Sequence, residues 1–326
     1  CEAEQWGFAI TADMTPALYA RFKTASGENA ARLADILLWV VDERHLDPLV
    51  EMLDALPAAT RAAAVRVIGA RRGKRFADKM LALTTDADPA VRAAAYGALA
   101  GVARAGDLPA LLGLLDRVDG EGVGQIQAAI VEAVSLGVPG GARLRPLTQA
   151  MAASPHPERV VEVLPQIGGA EALAMTIGGL DATREEVRLA AFRALTRWPG
   201  TDATEKLFAL FLDGSEAYRN QAFSAYVRQV SASSLPADQK ILRLRRIRDR
   251  SSTVGDRRIL IRAFERIRTF KSALLVAGFL DDPEVAGEAA ASLRRMALPT
   301  SPDAGDGLAG SDVRRALEKA LPLLTG

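Results

Sequence analysis

A twelve-residue unit recurs along this chain, and its recurrence constrains the fold more than any other feature. The clearest copy is Asp88-Pro89-Ala90-Val91-Arg92-Ala93-Ala94-Ala95-Tyr96-Gly97-Ala98-Leu99. Its apolar residues at 91, 94, 95, 98 and 99 keep the i, i+3, i+4, i+7, i+8 spacing of one helix face. Asp88 is placed to cap that helix, and Pro89 suits its first turn, where an amide has no intrahelical acceptor. The frame returns at Glu186-Val187-Arg188-Leu189-Ala190-Ala191, closing on Ala194 and Leu195. It returns again at Asp282-Pro283-Glu284-Val285, with Glu288, Ala289, Ser292 and Leu293 on the matching positions. With Val91 as anchor, weaker copies place Leu33, Thr60, Ile126, Val160, Tyr218 and Leu260 on equivalent positions. The mean spacing is about 32 residues, the length of a two-helix repeat.

Between the anchors lie partner helices, expected at 46–56, 74–83, 108–118 and 203–212. No stretch alternates apolar and polar residues as a half-buried strand does. The expectation is therefore an all-α chain, a right-handed α-solenoid of about nine two-helix repeats. It would run as one array over 1–326, with a lead-in at 1–14, a loop at 299–310 and a final helix at 311–324. Only 5% of the residues are aromatic. Ala94, Ala95, Ala98, Ala190, Ala191, Ala194 and Ala289 would let helices approach closely, with Leu, Ile and Phe filling the alternate layer. One repeat cannot bury its stripe alone; stacking on its neighbours does so.

The unit at 88–99 resembles the second helix of a HEAT repeat, a resemblance that covers nearly the whole chain. The copy at 187 matches closely and that at 285 in part, while those at 126, 160 and 260 lack the arginine in its place. The resemblance implies that Arg61, Arg92, Arg188 and Arg219 are structural, bonding to acidic side chains of neighbouring repeats. A narrower resemblance rests on Ala222-Phe223-Ser224-Ala225-Tyr226-Val227-Arg228-Gln229, on Leu235-Pro236-Ala237-Asp238-Gln239-Lys240 and on Phe279-Leu280-Asp281-Asp282-Pro283. These segments are similar to HEAT portions of exported bacterial proteins, which commonly adjoin a domain of the 3-keto-disaccharide hydrolase class. What that implies is context: a helical scaffold beside a carbohydrate-active domain, in an exported, periplasmic or cell-envelope setting, with a cytoplasmic one as the alternative. Cys1 is read either as the lipidated start of a mature lipoprotein or as a fragment boundary.

Searching for chemistry returns little. One cysteine and two histidines, His45 and His156, are too few for a Cys/His zinc site or a disulfide framework. Gly69-Ala70-Arg71-Arg72-Gly73-Lys74-Arg75 has three residues between its glycines where a phosphate loop needs four, and Arg75 stands where Ser or Thr would hold magnesium. It is read as an inter-helix turn. Gly120-Glu121-Gly122-Val123-Gly124 and Gly137-Val138-Pro139-Gly140-Gly141 are read as turns too. His45 and His156 fall in polar inter-helix segments. Asp42/Glu43, Glu185/Glu186 and Asp281/Asp282 are read as helix-end charges. The apolar runs at 36–41 and 273–280 are far short of the roughly 20 residues that span a bilayer. No catalytic residue, metal site or cofactor is assigned.

One segment departs from the average. Between Lys240 and Lys271 stand twelve basic and three acidic residues, a net +9 in a chain whose total is +1, so the remainder carries about −8. Arg243, Arg246 and Arg250 share one helix face by spacing, as do Arg258, Arg262 and Arg266. These six are the candidate anion- or partner-binding residues. They form either an anion-binding ridge or a solvated face paired with acids from adjacent repeats. Phe264 and Phe270 are expected in the core, which leaves few aromatics for stacking on bases. The leading reading is a non-catalytic interaction scaffold that binds a protein partner or a neighbouring carbohydrate-active domain. The alternative is a nucleic-acid or polyanion-binding module using 240–271. HEAT-like DNA glycosylases show that such a solenoid can do chemistry, although the near-neutral charge balance and the lack of a catalytic aspartate among aromatic residues argue against that here. A HEAT-like bilin lyase is a third reading, resting on the shared repeat alone.

Overall fold

The computed structural model describes residues 14–137, 143–214, 216–301, 307–308 and 310–324. The readings placed on Cys1, on most of the lead-in, on 138–141 and on much of the 299–310 loop lie outside those residues. Among the described residues there is no strand, and no helix is long and apolar enough to cross a membrane. The chain groups into two compact units, Cys1–Ile167 and Gly168–Gly326. Each is a stack of antiparallel helix pairs, so the fold class is all-α, a solenoid of HEAT-like repeats.

In the first unit the helices are α1 (Thr15–Thr24), α2 (Gly27–Val40), α3 (Asp47–Glu51), α4 (Ala58–Ala70), α5 (Ala77–Leu83), α6 (Pro89–Val102), α7 (Leu108–Leu115), α8 (Glu121–Ser135), α9 (Arg145–Ala153), α10 (Pro157–Val161) and α11 (Leu164–Ile167). Helices α1, α3, α5 and α7 each pair with the helix that follows, while α2, α4, α6 and α8 stack side by side in a second layer. The anchors fall where helical phase requires. Thr60, Val91, Ile126 and Val160 are buried, and Leu33 is half-buried. Asp88 caps α6, its Oδ1 accepting from the amides of Ala90 at 2.8 Å and Val91 at 3.3 Å. Around Val160 the repeat holds two short pieces, α10 and α11, in place of one long helix.

The tightest packing lies between α4 and α6. A Cβ on Gly101 would stand 2.1 Å from the Gly69 carbonyl oxygen, and one on Gly69 would stand 2.5 Å from Ala98 Cα. Only glycine permits this approach of backbone to backbone. The turn after α4 is the inter-helix turn expected at 69–75, with Arg72 in the left-handed region at φ 53°. From there Arg72 and Lys74 both reach Glu132 of α8, at 2.8 and 3.2 Å. The glycines at 122 and 124 differ from expectation. They lie inside the first turns of α8, where Gly122 packs on Val118 and Tyr96, and only Gly120, at φ 62°, makes the turn.

The second unit holds α12 (Gly169–Gly179), α13 (Glu185–Thr196), α14 (Thr204–Asp213), α15 (Glu216–Ala232), α16 (Ala237–Arg248), α17 (Val254–Ile267), α18 (Phe270–Ala277), α19 (Ala286–Ala297) and α20 (Ser311–Leu324). Here aromatic rings fill the seams. Phe192 meets Tyr218 at 4.3 Å between centroids, Phe211 meets Phe223 at 5.1 Å and Phe208 meets Tyr226 at 5.9 Å. Burial raises the Tyr226 phenol to about 12, and its hydroxyl donates to the Arg243 carbonyl at 3.0 Å. The unit at 282–293 opens later than its Asp-Pro start suggests. Asp282 accepts from the Glu284 amide in a turn, and α19 begins only at Ala286.

The motif arginines are structural in a more varied way than the resemblance implies. Arg61 does reach an acid of the next repeat, Asp86, at 3.5 Å. Arg92 instead donates to the carbonyls of Asp86 and Ala87, and Arg188 to those of Ala182 and Thr183, tying each helix start to its own preceding loop. Arg219 donates to Ser252 Oγ and lies over the Phe211 ring. Carbonyls left open at helix C-termini are met from neighbouring layers. Gln229 donates to Leu195 O and Arg228 to Thr196 O, while Arg268, at φ 52°, reaches Arg295 O and Leu298 O.

Candidate interaction surface

Helices α16 and α17 carry the basic segment, and their antiparallel pairing decides where its two arginine rows go. Ile241, Leu244 and Ile247 bury one side of α16. On the α16 row, Arg243 donates to Thr204 Oγ1 at 3.0 Å. Arg246 reaches Glu205 at 2.8 Å and stacks over the Phe208 ring, 3.9 Å from its centroid. Thr204, Glu205 and Phe208 all belong to α14, the preceding repeat. On the α17 row, Arg258 and Arg262 share Glu288 of α19, the following repeat, at 3.4 and 3.0 Å. Arg243 and Arg246 thus turn to the preceding repeat, and Arg258 and Arg262 to the following one.

Other cations of the segment are engaged in the same manner. Arg257 pairs with Asp282 at 2.7 Å and Glu284 at 2.5 Å, and Lys271 with Asp238 at 2.8 Å. The carboxylate of Glu265, bound by Arg295 at 2.6 Å and by Ser292, is held below the usual range chiefly by the Arg295 hydrogen bond. Arg250, expected on the same helix face, lies in the turn after α16, and neither it nor Arg266 of α17 makes a side-chain hydrogen bond or ion pair among the described residues.

Arg266 instead lines a cavity of about 170 Å³ with Ser231, Leu235, Ala237, Lys240 and Ile267. A larger hollow of about 350 Å³ lies between the starts of α6 and α8. Arg92, Arg117, Asp119, Glu121 and Gln125 give it mixed charge around the Tyr96 ring. The exposed large apolar side chains were missed by the sequence reading. Trp39 is 85% exposed at the end of α2, and Leu242 is 69% exposed on α16, with Leu212, Leu274 and Leu321 open on α14, α18 and α20. The signal was present in the phase: Trp39 lies off the Ala30, Ala34, Leu37 stripe, and Leu242 off that of Ile241, Leu244 and Ile247. Phe264 is buried as expected, whereas Phe270 is 40% exposed in the first turn of α18.

Neither histidine is joined to catalytic partners. His45 Nδ1 lies 2.8 Å from Asp42, whose carboxyl is held low chiefly by the Arg44 hydrogen bond, and His156 Nδ1 lies 3.2 Å from Glu158. Among the described residues, no three His, Cys, Asp or Glu side chains cluster to hold a metal ion.

Residues 46–133 match the family model for HEAT repeats. Among solved structures, an engineered protein matches with a TM-score of 0.38 at 18% identity, over 98% of this chain and 97% of that one. The complex of CpcE and CpcF of phycocyanin lyase from Nostoc sp. PCC7120 matches with a TM-score of 0.32 at 19% identity, over 80% of this chain and 95% of that one. The search of curated proteins found no match. The chain is an all-helical protein that carries HEAT repeats at 46–133 and continues the same helix pairing beyond them.

Proposed function

We propose that this chain is a non-catalytic interaction scaffold whose helix layers bind a protein partner or a neighbouring domain. One observation carries the reading: in the segment richest in cations, Arg246, Arg257, Arg258, Arg262 and Lys271 are paired with Glu205, Asp282, Glu284, Glu288 and Asp238 of adjoining elements. A polyanion would have to compete with these pairs for Arg246, Arg257, Arg258 and Arg262. Trp39, 85% exposed, is of the residue type enriched among the anchors of protein contacts. Solenoids of this kind bind through extended shape and charge complementarity rather than one deep pocket. That the neighbour is a carbohydrate-active domain is supported by the sequence resemblance alone.

The test is a pull-down from lysate of the source organism, divided between nuclease-treated and untreated halves, followed by reconstitution with the purified partner. A protein that is retained after nuclease and rebinds when pure is the expected result. Capture that disappears with nuclease, and with Arg243, Arg246, Arg258 and Arg262 changed to Glu in a folded variant, would replace this reading with the nucleic-acid one.

A further inference from the structure

Two cations of the basic segment meet in the small cavity formed where α15 ends, α16 begins and α17 ends. Lys240 donates to the Ser231 carbonyl at 3.0 Å, which leaves two of its three donors unused. Arg266 has no side-chain hydrogen bond or ion pair among the described residues, and the Ser231 hydroxyl is buried without a partner. The acids that could neutralise the pair are committed elsewhere, Asp238 to Lys271 and Glu265 to Arg295. Among the described residues no acidic side chain lines the cavity. Helix α16 opens beside it with Pro236 at the cap position and no side-chain cap, so its first amides add donors.

Charge and shape select the class of ligand. The C-terminal ends of α15 and α17 each contribute about half a negative charge. Against the two side-chain cations and the half positive charge of the α16 N-terminus this leaves an excess of about one and a half positive charges, which selects an anionic group. The planar guanidinium of Arg266 matches a carboxylate in bidentate fashion, with the Lys240 ammonium as a point charge beside it. Leu235 and Ile267 supply apolar walls for the carbon chain that bears the group. The volume of about 170 Å³ admits a carboxylate side chain and no nucleobase stack. We infer that the Lys240–Arg266 cavity is an anchoring site for a carboxylate of a partner peptide. The inference deepens the scaffold reading and rests on it for the source of the peptide.

The full chain labelled at isoleucine δ1 methyls, with Ile267 assigned through Ile267→Val, reports on the cavity wall. It is titrated with sodium acetate against sodium chloride at matched ionic strength. Two blocked peptides follow, identical except for Glu or Gln at one position between leucines. A saturable shift of the Ile267 methyl with acetate and the Glu peptide is expected, with no shift for the Gln peptide and an unchanged Ile126 methyl. Arg266→Gln should weaken the Glu peptide by about tenfold or more. Equal responses to the Glu and Gln peptides, no saturable response to acetate, or undiminished binding by folded Arg266→Gln would overturn the inference. The peptide comparison needs no variant and decides by itself if Arg266→Gln does not fold. Saturable Ile267 shifts without any captured protein would sink the scaffold reading and leave the site standing; a captured partner with a silent Ile267 would do the reverse.

Discussion

Where α4 meets α6, Gly69 and Gly101 bring backbone against backbone, and the core nearby is made of Ala62, Ala63, Ala64, Ala95 and Ala98. Where α13, α14 and α15 meet, the same kind of seam is filled by Phe192, Phe208, Phe211, Phe223 and Tyr226, with ring centroids 4.3 to 5.9 Å from their partners. The repeat unit fixes which face of each helix is buried. It does not fix how far apart the helices lie; side-chain volume does. In the small-residue seam a methyl on Gly69 or Gly101 would run into the backbone of the facing helix. Its aromatic counterpart depends on large side chains whose removal leaves a void.

These two seams should therefore fail in opposite directions. Phe223→Ala removes a fully buried ring and is expected to cost about 3–5 kcal/mol through lost burial and cavity formation. It should be read as faster amide exchange across α14 and α15. Gly101→Ala adds a single methyl and is expected to cost about 1–3 kcal/mol, because the clash is with a carbonyl oxygen and not with a side chain that can turn away. Exchange along α4 and α6 should report it. A neutral Gly101→Ala would show that the helices can part there, and the contrast between the seams would vanish.

Smaller changes sharpen the contrast at the helix ends. Asp88→Ala should destabilise α6 by about 1 kcal/mol, since two amides lose their acceptor, measured by urea unfolding. In the second unit, acid should loosen the contact between α17 and α19 through Glu265. Its folded pKa lies below the ordinary 4.5, so its contribution is complete above that value and is lost as pH falls through the lowered one. A proton-linked loss of α19 amide protection below about pH 4.5, abolished in Glu265→Gln, is the expected result.

The sequence carried the helical phase well because burial repeats it: Val91, Ile126, Val187, Leu260 and Val285, five of the nine anchors of a frame that recurs about every 32 residues, are all buried. It carried less about helix starts. Asp282-Pro283 has the composition of a cap, yet the Asp282 side chain is taken by Arg257 and by the Glu284 amide, and the helix waits until Ala286. Charge was the least legible property. Arg246 and Glu205 stand 41 residues apart, and Arg262 and Glu288 stand 26 apart. Within α16, spacing says only that Arg243 and Arg246 share a face, and Arg250, expected to join them, lies in the turn beyond the helix end at Arg248. Which repeat that face addresses depends on the direction of stacking. Likewise Lys240 and Arg266 come together only because α16 and α17 run antiparallel, which their separation in sequence does not reveal.

The central proposal is that Arg246, Arg257, Arg258, Arg262 and Lys271 serve the stacking of repeats rather than a polyanion, and fluorescence anisotropy tests it most directly. Labelled duplex DNA and heparin are titrated with the intact chain from low to physiological salt. No saturable rise at physiological salt is expected, with a shallow salt dependence for any weak binding below it. Tight saturable binding whose logarithm falls steeply with the logarithm of salt concentration, and which Arg246→Gln and Arg262→Gln weaken, would contradict it.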